Sequence, residues 1–186
     1  MVSPRYPDRN AVPATIESVQ RLWLMKLNGI AVIDEWITRT DDSEILAGLY
    51  GQLEDERRHT RLLGDEVKRV SGRLSPSINR HVMLRPFTEV RQQPDDVGRL
   101  LIFHRAIKTY LVDRCAHLTP LVDLPLAQTL ERIGREDEMH VRWAELRLSH
   151  LIKRDRERES SLLLSRVRPM IEATWGRPWR QLALGG

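Results

Sequence analysis

Three stretches of this chain step through apolar residues at intervals of three and four, and each sets ionisable side chains in the middle of its stripe. One runs Leu49, Leu53, Glu56, His59, Leu63, Val67, Val70; another Leu100, His104, Ile107, Leu111, Cys115, Leu118. The last runs Leu126, Leu130, Ile133, Asp137, His140, Ala144, Leu148, Leu151. Such steps place every one of these residues on a single helical face. Faces of that length are stable only against other faces, which restricts the chain to helices packed on helices. The same packing carries acids and imidazoles inside. Isolated there, each would cost several kcal/mol or be forced neutral. A cation shared among them removes that cost.

Punctuation along the chain gives the plan. Pro4, Pro7 and Pro13 mark residues 1–13 as an irregular arm, and a helix is expected from Ala14 to about Arg39. The break "TRTDDSE" follows, with Ser43 as the expected N-cap and Glu44 in the first turn. The second helix should reach about Val70 and stop at Gly72 and Pro76. Residues 73–96, with Pro76, Pro86 and Pro94, read as a long connection. A third helix is expected over about 96–117 and a fourth, with Pro125 in its first turn, to about Ile152. Residues 153–186 should supply an amphipathic segment, about 159–174, and a tail packing on the bundle. No stretch alternates as a strand would. The expectation is all-α: two long helix pairs with short turns, separated by one long crossover, over residues 14–152.

Composition closes off other classes. The 186 residues suffice for one domain, and the net charge of +4 with a pI near 9.6 invites a nucleic-acid reading. The basic residues are interleaved with acids, as in "EDERRH" and "KRDRERES", a pattern of solvated helix faces that argues against nucleic acid. The most apolar run, "RLWLMKLNGIAVIDEWI", is broken by Arg21, Lys26, Asp34 and Glu35, so no membrane span is expected. The first residues show no secretory h-region, and the single cysteine, Cys115, allows no intrachain disulfide; a cytoplasmic location is the expectation. There is no Gly-rich phosphate loop and no nucleophile constellation.

Spacing then nominates a site. Glu56 precedes His59 by three residues, as Asp137 does His140, so each pair points one way and can share an ion. With the turn between the third and fourth helices centred near residue 120.5, His104 and Asp137 are equidistant from it and should face each other at one level. The expected metal ligands are therefore Glu56, His59, His104, Asp137 and His140. Imidazoles with carboxylates suit iron, one ion or two, with manganese or zinc as alternatives.

Glu56-Arg57-Arg58-His59 and Asp137-Glu138-Met139-His140 resemble the two Glu-x-x-His motifs of the ferritin-like di-iron carboxylate superfamily, and "REDEMHVRWAELRL" is similar to the fourth helix of bacterioferritins and rubrerythrins. The resemblance covers about residues 14–152 and implies a ferritin-like four-helix bundle with an added C-terminal helix. It also implies an oxidoreductase that activates dioxygen or peroxide, on a substrate the sequence does not name. Homo-oligomers are usual for such bundles. The family adds a glutamate from each of the first and third helices, and this chain departs from both. His104 stands on the third. Reflecting Glu56 through a turn near 41.5 reaches residue 27 on the first, beside Asn28, where there is no carboxylate; Glu35 is the nearest acid on that face. Two other readings therefore stand beside the oxidoreductase: a non-catalytic scaffold or interaction protein with a degenerate site, and an iron-storing ferroxidase. Tyr50 and Tyr110 are placed to approach the site, Cys115 to be a small buried hydrophobe, and His81, His117 and His150 to be surface or packing residues. The five tryptophans read as core and rim aromatics.

Overall fold

A computed structural model describes residues 11–74, 80–152 and 156–176, with the side chains of 11–14 and 80–82 outside that description. Every regular element among the described residues is a helix, and none is a strand. Helix α1 spans Ala11–Ile37 and α2 Ser43–Ser71. Asp42, not Ser43, caps α2: its carboxylate accepts from the backbone N–H groups of Glu44 and Ile45 at 2.9 and 3.0 Å. A carboxylate is an equally good cap and here stands one residue earlier, so Ser43 becomes the first helical residue. At the far end Gly72 adopts the left-handed conformation (φ 71°) and its N–H closes on the Lys68 carbonyl, the stop that glycine supplies without steric cost.

The crossover holds a helix that its prolines disguise. Helix α3, Arg80–Arg91, carries Pro86 in its interior and buries Met83, Phe87 and Val90, spaced by four and three. Next comes one continuous rod: α4 (Asp96–Leu100), a π-helical stretch over Leu101–Lys108, and α5 (Thr109–Leu118). A 3₁₀ turn, Thr119–Leu121, leads into α6, Leu124–Leu151, capped by Asp123. Helix α7, Glu157–Trp175, closes the described chain.

Four long rods touch in a ring. α1 packs on α2, α2 on α6, α6 on the π stretch and α5, and α5 on α1. α3 and α7 cover the outside of the π stretch, which explains why Leu101, Ile102, Phe103 and Ala106 are buried as well as the expected stripe. Where α2 meets α6, a Cβ on Gly48 would lie 2.2 Å from the Trp143 ring, so only glycine admits that indole. Among the described helices none is long and apolar enough to cross a membrane.

Candidate functional site

At the centre of the ring each rod contributes one charged side chain. Lys26 comes from α1, Glu56 from α2, Lys108 from the end of the π stretch and Asp137 from α6, all within 1% of complete burial. Both ammonium groups bridge both carboxylates. Lys26 Nζ donates to Glu56 Oε1 at 3.2 Å and to Asp137 Oδ2; Lys108 Nζ donates to Asp137 Oδ1 at 2.7 Å and to Glu56 Oε1. Two positive and two negative groups therefore balance in a dry interior.

Histidines frame this quartet in a reciprocal pattern. His140 Nδ1 lies 3.0 Å from Lys108 Nζ, which can only donate, so Nδ1 accepts and Nε2–H is left to donate to Asp55 of α2 at 2.9 Å. His59 of α2 mirrors it, its Nε2 against Glu136 of α6. In both motifs the acid just before the motif serves the other helix's imidazole, and Arg58 ties Asp55 and Glu136 together at 2.6 and 2.8 Å. His59 Nδ1 and Glu56 Oε2 are buried without a hydrogen-bond partner.

Electrostatics follow from burial and then from partners. Burial alone would lower the Lys26 pKa, but Asp137 and Glu56 outweigh it and hold the ammonium above the ordinary lysine range. Burial would raise Glu56 and Asp137; Lys108 and Lys26 reverse this, and Asp137 stays well below the usual carboxylate range. His59 is depressed by burial and by Lys26, and His104, sealed and near Lys108, lies well below the normal imidazole value.

Of the five expected ligands, Glu56, His59 and Asp137 bring donor atoms within 4.8 Å of one another. His140 borders them, with both ring nitrogens engaged. His104 is not in that group. Its Nε2 meets Gln52 Oε1 at 2.7 Å, among the rings of Trp36, Phe103 and Trp143. The 3₁₀ turn is the reason. It prolongs the third rod, and centring the connection between Leu121 and Leu124 sets His104 level with Val141 and Lys108 level with Asp137. Neither first-helix alternative joins the site: Glu35 faces solvent and Arg91, and Asn28 donates to the Leu24 carbonyl. Tyr50 is exposed, and Tyr110 donates to the Trp175 carbonyl. Cys115 is buried, its thiol pushed up to about 12 by that burial. His117 is half-buried and His150 exposed, while the His81 side chain and Trp179 lie outside the described residues.

A two-metal centre does not fit these residues. Lys26 and Lys108 hold Glu56 Oε1 and both Asp137 oxygens, atoms that two ions would bind at roughly 2.0–2.2 Å, and they bring like charge to the same points. The sequence offered a positional hint for Lys26 and none for Lys108. Lys26 adjoins the residue-27 position reached by reflection. Among known proteins, no family model, no curated protein and no solved structure matches the chain.

Proposed function

We propose that this chain is a metal-independent member of the ferritin-like bundle class, acting as a non-catalytic interaction or scaffold protein. Rod order and the long crossover between α2 and the third rod support the architecture. The observation that carries the functional reading is the pair of buried ammonium groups between Glu56 and Asp137. They neutralise the interior with no ion, and they leave no carboxylate oxygen facing a space open to substrate. Cavities on the described surface lie elsewhere, one between α5 and α6 beside Val112 and Glu131, another beside Arg105 and Ser149.

Elemental analysis tests this reading. Protein expressed in iron-supplemented medium is expected to carry well under one metal per chain and to unfold at the same urea midpoint with and without chelator. One or more metals per chain, lost in an Asp137→Ala/His140→Ala variant, would overturn it. A second reading draws on Glu56, His59 and Asp137, whose donor atoms lie within 4.8 Å of one another, and on the unpartnered Glu56 Oε2 and His59 Nδ1. Under it the chain is a metal-dependent oxidoreductase holding a single iron, manganese or zinc ion, and one ion per chain is the expected result. A storage ferroxidase is less favoured, since it needs a two-ion centre.

A further inference from the structure

The chemistry around the two lysines goes further than a lost metal site. We infer that Lys26 and Lys108 stand in for the two cations around which a bundle of this type closes, and that exchanging both for glutamate converts this interior into a two-metal carboxylate–histidine site. The inference rests on the metal-independent reading above and can fail separately from it.

The reasoning starts from which rod supplies what. A di-metal bundle takes one glutamate from each of two helices and a Glu-x-x-His pair from each of the other two. Here α2 and α6 supply the acid-x-x-His pairs, and α1 and the third rod supply one lysine each, at the level of those pairs. Charge arithmetic agrees. Four carboxylates need two divalent ions to reach neutrality; two carboxylates need two ammonium groups. A reversal at two positions therefore exchanges one neutral solution for the other.

Everything else such a site requires is already built. Both histidines fix the outer nitrogen Nε2 on a carboxylate of the opposite helix, His59 on Glu136 and His140 on Asp55, the outer support that orients metal-binding imidazoles. His140 turns Nδ1 to Lys108 in the quartet, and His59 Nδ1 is buried. His59 Nδ1 has no partner now, and His140 Nδ1 loses its only donor when Lys108 is replaced. Glu56 Oε2 is also unpartnered. Glutamate is shorter than lysine, so the space of each ammonium group opens for an ion.

The test compares wild type with Lys26→Glu/Lys108→Glu, using cobalt(II) and manganese(II) as probes. The double variant is expected to bind close to two ions per chain, to show cobalt d–d absorption altered by His59→Ala, and to gain roughly 10–20 °C in Tm at about a hundredfold excess of metal over Kd at both sites. Wild type should show none of these. Should the metal-free double variant fail to fold, it is refolded with metal present, and Lys108→Glu alone is measured for a single ion. A folded double variant without bound metal overturns the inference, as does failure of both variants to fold even with metal. Metal bound by wild type instead overturns the proposed function, whatever the variants do.

Discussion

Glu56 and Glu35 are the same residue type, each on a helix and each facing a basic side chain from another rod, yet they sit in opposite physical regimes. Glu56 is sealed between Lys26 and Lys108; Glu35 is about half exposed and meets Arg91 Nε at 2.7 Å. At the surface water solvates either partner when the pair opens. In the interior nothing else does, so each charge depends on the others being present. The contrast teaches that the cluster is a requirement of the fold's own charge balance, whereas the Glu35–Arg91 pair is an accessory.

Breaking the buried set should produce the largest effect. Lys108→Met leaves Glu56 and Asp137 with one cation between them and is expected to cost about 3–5 kcal/mol in urea unfolding. Pairing it with Glu56→Gln removes one charge of each sign, so the double variant should be less destabilised than the sum of the two singles, by a coupling of about 0.5–3 kcal/mol. Additive losses would show that Lys108 acts through packing, not charge.

Acidity probes the same contrast without mutation. His59 and His104 are held below the ordinary 6.5, so as pH falls through that value the unfolded chain binds protons the folded protein refuses, and stability declines. Glu56 and Asp137, held below 4.5 and 3.8, add a second loss as the pH falls on through the carboxylate range. Lys26 is raised, so its contribution is complete below 10.5 and disappears only as the pH climbs beyond that. Cys115, raised from 9.0 by burial, keeps a proton that the unfolded chain gives up, so a loss sets in above about pH 9. The urea midpoint should therefore be flat from about pH 7 to 9 and fall on both sides. A midpoint unchanged between pH 7 and 4 would mean the histidines and acids are not buried as described.

How much of this the sequence could disclose depended on residue type. The stripes on α2, the third rod and α6 were legible because leucine spacing and burial share one cause. So was the convergence of Glu56, His59 and Asp137, which lie on those stripes. Lys26 and Lys108 were not, because a lysine in a charged sequence reads as solvated and its long stem lets Nζ reach a turn away from its Cα. Helix α3 was masked by its prolines, although Met83, Phe87 and Val90 mark a helical face. The π stretch kept the legible stripe of His104 and Ile107 but hid the burial of Leu101, Ile102, Phe103 and Ala106 under α3 and α7, and its span ends at Lys108. Widened turns of this kind gather at functional sites, and here one delivers a charge.

The smallest expected effect completes the comparison. Glu35→Gln removes the acid of a half-exposed pair that bridges α1 and α3, in which Arg91 keeps access to water. Such pairs contribute about 0–1 kcal/mol, reduced further by salt. The variant should match wild type in urea midpoint to within that range at 0.15 M salt, and its metal content should be unchanged. A loss near that of Lys108→Met would place Glu35 in the interior charge balance, and the distinction between the two glutamates would fall. A small loss at low salt that vanishes at high salt would instead sharpen it, because screening reaches Glu35 and has no path to Glu56.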